Sequence, residues 1–220
     1  MTKRGRTLIL VRHGESFLNE AERYLKSNIA EYDVCGVGLT KNGWKQSAKA
    51  GLWIKGNMGD RFDVIYMSDY PRSLQTVEAM CLKNGIQRTD ERLRERDLHN
   101  FASMTHGEKL KKLGGTDQFL KQYMYEWTPD GGEDMSSVIK RAYSFLNDCL
   151  AVPNTSRILV VSHYYVIHAL RLLLLNIPQA SRSDFMVKER AIKNGQVFYY
   201  SGAHISDRSI HITREQPVSF

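Results

Sequence analysis

Three short apolar runs along the chain each end in a turn dense with charge and imidazole. "TLILV" (residues 7–11) leads into "RHGES", "FDVIYM" (62–67) into "SDYPRSLQT", and "RILVVS" (157–162) into "HYY". Unbroken apolar runs of this length predict strands covered on both faces. Helical spacing fills the intervals. A polar helix is expected over 16–25, and a second behind an N-cap at Thr40, with Trp44, Ala48, Leu52 and Trp53 on its inner face. A third over 72–82 would bury Leu74, Val77, Met80 and Cys81, and a fourth over 136–150 carries the stripe Val138, Ala142, Phe145 and Cys149. The last, over 165–175, presents Val166, Ile167, Leu170, Leu173 and Leu174. A weaker strand is read near 87–93, and late strands at 196–201 and 209–213 precede a polar tail.

Strands alternating with helices give an α/β fold: a three-layer sandwich with a mostly parallel central sheet and helices on both faces. Residues 26–38 show no period and read as loop, and no internal repeat or linker divides residues 1–220, so one domain is expected. Residues 96–135, polar and aromatic by turns, read as an excursion lying over the carboxyl ends of the strands and covering the substrate. Ligands of such sheets bind at those ends, where helix N-termini converge.

Composition narrows the class. The chain has 220 residues, 42% hydrophobic and 25% charged, as a globular domain should, and a formal charge of +7 that favours anionic partners. Three widely spaced cysteines, Cys35, Cys81 and Cys149, form no C-x-x-C and read as reduced thiols. "VIHALRLLLLNI" is interrupted by His168 and Arg171 and is too short to span a bilayer. No signal-peptide layout opens the chain, so a cytoplasmic protein without a membrane partner is expected.

The three loaded turns could bring Arg12, His13, Arg72 and His163 into one volume. Two guanidiniums suit a phosphoryl group, to which each donates two parallel hydrogen bonds, and the two histidines could supply a nucleophile and a transition-state donor. In this order the chain also carries "RHGES" with Asn19 behind it, "LTKNGWKQSA", "SDYPRSLQT", "LRE" at 93–95, "GGED" at 131–134 and "VVSH" ending at His163. The ordered set resembles the histidine phosphatase superfamily, the phosphoglycerate mutase-like proteins, over roughly residues 7–200.

The resemblance implies that His13 takes the phosphoryl group as a phosphohistidine and that Arg12, Arg72, His163 and Asn19 bind its oxygens. Glu95 is implied as proton donor to the leaving oxygen, because Tyr164 and Tyr165, not an acid, follow His163. No metal and no cofactor are implied. Tyr164, where the family often has glycine, would crowd the substrate side of the pocket, and Ser47 replaces the family's alanine.

Between Glu95 and Glu133 the paired arginines and proline-rich segment of cofactor-dependent mutases are missing, which favours water as acceptor. The expectation is therefore a phosphatase for a small phosphorylated metabolite, with a phosphoglycerate mutase as the alternative. An inactive phosphate- or nucleic-acid-binding scaffold comes third, and no nucleic-acid partner is expected. A homodimer is compatible with the sequence. Plainer readings cover the rest: Ser68 as a turn residue, Arg141 as a surface charge, the Phe119, Tyr123, Tyr125 and Trp127 series as packing, and His99, His106, His204 and His211 as boundary residues. The basic segment 109–112 reads as a solvated helix face or a rim over the site.

Overall fold

The computed structural model describes residues 6–24, 33–101, 104, 111, 122–152, 156–206, 209–212 and 214–218. The basic segment 109–112 apart from Lys111, Phe119, His106 and most of the loop at 26–38 lie outside the described residues. Strands β1 (Arg6–Arg12), β2 (Arg61–Met67), β3 (Asn84–Thr89) and β4 (Arg157–Ser162) form a parallel sheet in the order β3-β2-β4-β1. Strand β5 (Val197–Ser206) joins β1 antiparallel, and β6 (Ser209–His211) and β7 (Arg214–Val218) return along β5. The sheet is thus mixed, parallel through its centre and antiparallel at one side. The run expected as a polar tail is β7. It pairs with β5 through main-chain hydrogen bonds, which require no apolar pattern, and its sequence REQPV shows no period to read.

Side-chain alternation explains the unbroken apolar runs. Leu8, Leu10, Ile158 and Val160 point into a core shared with α4 (Met135–Ala151) and α5 (Tyr164–Leu174). Their neighbours Ile9, Val11, Leu159 and Val161 point into a second core against α2 (Lys41–Met58) and α3 (Pro71–Met80). Helices therefore cover both faces, as expected. Helix α1 (Phe17–Tyr24) is short, and α6 (Arg182–Lys188) places Met186 in the first core. No described helix is long and apolar enough to cross a membrane.

Two helix faces differ from the expectation. On α2 the buried residues are Gly43, Ser47, Ala50, Gly51 and Ile54, while Leu52 is 67% exposed. A Cβ on Gly51 would lie 2.4 Å from the Met80 carbonyl, so α2 approaches α3 almost backbone to backbone, and small residues set the inner face. On α3 the buried face is Arg72, Ser73, Thr76, Val77 and Met80; Leu74 is exposed and Cys81 forms a left-handed cap with φ 49°. Strand β3 also starts earlier than read, and Leu93 instead belongs to the turn Glu91–Leu93.

Register positions the site. Arg12 pairs with Ser162 across β1 and β4, so His13 and His163 leave adjacent parallel strands side by side. From β4 the chain runs into α5 on one face, whereas α2 and α3 lie on the other, which opens a crevice at the strand ends.

Candidate active site

Strand β1 ends in a tightly seated turn. The His13 N–H continues the ladder to the Ser162 carbonyl at 2.9 Å, and the Gly14 N–H donates to Thr76 Oγ1 at 3.0 Å. A Cβ on Gly14 would meet the Gly43 carbonyl at 2.3 Å, and one on Gly43 the Glu15 carbonyl at 2.0 Å, so the turn and the start of α2 require both glycines. Gln46 Oε1 accepts from the Glu15 N–H at 2.8 Å, and the Glu15 carboxylate accepts from Thr40 Oγ1 at 2.8 Å and Asn42 Nδ2 at 3.1 Å. Thr40 caps α2 by accepting from the Gly43 N–H. The Ser47 hydroxyl donates to the Gly43 carbonyl at 2.8 Å, so it is accommodated where the family has alanine.

His13 is 3% exposed and its Nδ1 lies 2.7 Å from the Gly14 carbonyl. A carbonyl only accepts, so the ring proton sits on Nδ1 and Nε2 keeps its lone pair. Burial first, then the charges of Arg72 and Arg12, hold its pKa well below the usual histidine value, against a smaller opposing effect of the Gly14 bond.

Arg72, in the first turn of α3, donates from Nε to His163 Nδ1 at 3.2 Å and from a terminal nitrogen to the Val34 carbonyl at 2.6 Å. A guanidinium only donates, which makes His163 Nδ1 an acceptor and puts the ring proton on Nε2, 3.4 Å from Ser73 Oγ. The rings of His13 and His163 are 5.0 Å apart, and His163 is also held well below the ordinary histidine pKa, by burial and then Arg72. Arg12 donates to the Ile192 carbonyl at 2.6 Å and lies 5.2 Å from the Tyr164 ring centre.

Asn19 Oδ1 accepts from the Ser16 N–H, the Ser16 hydroxyl and Asn194 Nδ2, at 3.3, 3.1 and 3.1 Å. Asn194 also donates to the His13 carbonyl at 3.2 Å. Nothing in the local sequence marks Asn194, because it reaches the site from 175 residues beyond Asn19.

Glu95 faces these groups from the segment after β3. Its Oε1 accepts from the Arg96 N–H at 2.9 Å and from the Tyr165 N–H in the first turn of α5 at 3.1 Å. Burial raises its pKa, and this outweighs the two backbone bonds and the charges of Arg72 and Arg12.

Arg12, His13, Asn19, Arg72, Glu95 and Tyr164 line one cavity of about 580 Å³, with His163 against Arg72. The sequence-derived site residues are therefore brought together. Leu18, Leu98, Tyr123 and Met124 line the remainder, and the Tyr164 hydroxyl donates to the Arg190 carbonyl at 2.9 Å. His99, read as a boundary residue, also lines the cavity, in a left-handed conformation with φ 44°. Tyr123 both packs on the core and borders the cavity, so packing is only part of its role. Ser68 is fully buried and accepts from the Tyr70 N–H at 3.3 Å, as a turn residue does. Arg141 is not a free surface charge: it is 19% exposed and ion-paired with Glu133 at 2.8 Å. Among the described residues no group of three or more His, Cys, Asp or Glu side chains gathers as a metal site would need.

Known proteins resemble this chain over most of its length. The family described as histidine phosphatase superfamily (branch 1) matches residues 8–200. A Proteus mirabilis protein named a probable phosphoglycerate mutase is 30% identical over 176 residues, 77% of this chain and 74% of that one. A 2,3-bisphosphoglycerate-dependent phosphoglycerate mutase of Azorhizobium caulinodans is 28% identical over 204 residues, 90% of this chain and 93% of its own. A mycobacterial glucosyl-3-phosphoglycerate phosphatase, solved with VO3, shares the fold at a TM-score of 0.73 and 22% identity, covering 98% of this chain and 99% of that one.

Proposed function

Because this chain belongs to branch 1 of the histidine phosphatase superfamily, we propose that it is a phosphomonoesterase acting on a small phosphorylated metabolite through a phosphohistidine on His13. The observation that carries the reading is the 2.7 Å approach of His13 Nδ1 to the Gly14 carbonyl, which places the ring proton on Nδ1 and leaves Nε2 as a nucleophile among Arg12, Arg72 and His163. In the first step Nε2 bonds to phosphorus while the ester P–O bond breaks, and the departing oxygen takes the proton of Glu95. In the second, water attacks phosphorus, its proton returns to the Glu95 carboxylate, and Nε2 regains its lone pair. Charge on the phosphoryl oxygens is offset by Arg12 and Arg72, already oriented by their neighbours, with the uncharged Asn19 and His163 completing the oxygen contacts as hydrogen-bond donors once the His163 N–H leaves Ser73; such preorganised donors are where rate enhancement arises. Tyr164 borders the part of the substrate beyond the phosphate.

Hydrolysis is favoured over transfer to a second hydroxyl by the single arginine between residues 96 and 133. That residue, Arg96, turns its guanidinium to main-chain carbonyls, whereas a mutase needs an arginine-lined pocket to hold an intermediate with a second anionic group. The mutase names of the relatives at 28–30% identity support a second reading, phosphoglycerate mutase.

Rapid quench with a phosphorus-labelled aryl phosphate, in the presence of EDTA, is expected to leave alkali-stable label on the protein. His13→Ala should abolish both label and turnover; label persisting on that variant removes His13 as the nucleophile. A metabolite panel run beside a bisphosphoglycerate-primed mutase assay separates the two readings, by release of inorganic phosphate or by isomerised product.

A further inference from the structure

Arg96 directly follows Glu95, and its guanidinium is buried, 3% exposed. Nε donates to the Glu133 carbonyl at 2.9 Å. One terminal nitrogen donates to Tyr123 and Met124 carbonyls at 3.2 and 3.5 Å, and the other to the Trp127 carbonyl at 2.5 Å. Among the described residues no carboxylate pairs with it. A buried cation hydrogen-bonded to carbonyl dipoles and to no described carboxylate is a costly way to gain stability, because an apolar side chain could fill the same space without desolvating a charge. What this one achieves is geometric: it draws the turn Gln122–Glu126 and Glu133 onto the residue beside Glu95. That turn is a π-helical one, a strained form that recurs at functional sites.

The same segment is gripped from the other side. Arg141 donates to the carbonyls of Arg92 and Arg94, each at 2.6 Å, and forks onto the Glu133 carboxylate at 2.8 and 2.9 Å. Glu133 thus offers its carbonyl to one arginine and its carboxylate to the other. The Tyr165 ring lies 5.1 Å from the Arg96 guanidinium carbon, while the Tyr165 N–H holds Glu95 Oε1.

We propose that Arg96 and Arg141 are positioning residues that together set the Glu95 carboxyl against the leaving oxygen and tie that setting to the segment at 122–133 covering the site. The proposal rests on the reading of Glu95 as proton donor. A proton donor displaced by about 1 Å loses much of its effect. The loss depends on the ester: a leaving group that departs readily as an anion barely needs the proton, and a basic alkoxide needs it most. A role confined to holding the fold together would depress all esters alike.

The test compares kcat/KM, which reports steps through P–O cleavage, for 4-nitrophenyl, phenyl and benzyl phosphates. Arg96→Lys and Arg141→Met are expected to lose about tenfold or more on benzyl phosphate and to stay within about twofold on 4-nitrophenyl phosphate. Glu95→Gln should show the same bias more steeply. Equal losses across the series for both arginine variants, with the bias present in Glu95→Gln, overturn the proposal alone. No bias in Glu95→Gln overturns the proton-donor reading and the proposal with it. Should Arg96→Lys fail to give a cooperative melt, Arg141→Met decides by the same comparison, since its side chain is partly exposed.

Discussion

On the strand-tip side of the pocket, His13, Arg72 and His163 each stand within a residue or two of a strand end or helix start, and their partners are nearby backbone or one another. On the facing side, Glu95 follows a three-residue turn and is held through arginines that reach 31 and 47 residues along the chain. The first half is made by stacking secondary structure, and its precision comes from close packing. The second is suspended, and its precision comes from hydrogen bonds between residues far apart in the chain. The halves also titrate in opposite senses. Burial disfavours the charged form in both, which lowers the pKa of the imidazoles and raises that of the carboxyl.

The largest way to break this contrast is to disturb the packed half sterically. Gly43→Ala forces a methyl group onto the Glu15 backbone, which has no side chain to swing away. It is expected to destabilise the fold by about 3 kcal/mol, read by chemical denaturation, at the upper end of overpacking costs. An unchanged midpoint would show that the two backbones separate easily.

Next comes the loss of one preorganised donor. Arg72→Ala should lower kcat by roughly a hundredfold or more, the scale for a transition-state donor, and should free His163 Nδ1. Unaltered kinetics would place Arg72 outside the reacting geometry.

The smallest effect sharpens the titration contrast. His168 is fully buried in α5, neither ring nitrogen has a hydrogen-bond partner among the described residues, and burial followed by the Arg171 charge lowers its pKa to about 3. Above the ordinary histidine pKa of about 6.5 it is neutral in both folded and unfolded chains and contributes no pH dependence. As pH falls below that value only the unfolded chain gains the proton, so stability drops by about 1.4 kcal/mol per unit, or about 2 kcal/mol at pH 5. His13 and His163 act in the same direction, while Glu95, its folded pKa raised, becomes easier to bury as acid protonates it. His168→Leu should flatten the decline of melting temperature between pH 7 and 5; an unchanged slope would mean that the ring is charged in the folded protein.

How much of this was legible from the residues follows the same division. The strand runs, the Thr40 cap and the loaded turns identified the packed half, because strand burial and helix starts leave local signatures. Glu95 was found only through a resemblance, since a carboxylate in a short turn has no period and no cap to announce it. Arg141 read as a surface charge because two of its partners are main-chain carbonyls 47 and 49 residues away, and nothing around Arg141 itself announces the pairing with Glu133. The misread faces of α2 and α3 share one cause: where helices touch backbone to backbone, small and polar residues lie inside and the large apolar ones are displaced outward.

The hydroxyl of Thr76 has a consequence for motion. It accepts from the amide beside the nucleophile and donates, at 2.7 Å, to the carbonyl of Arg72 one turn earlier. A single oxygen therefore couples the tip of β1 to the helix that carries Arg72, so neither can shift without disturbing a hydrogen bond of the other.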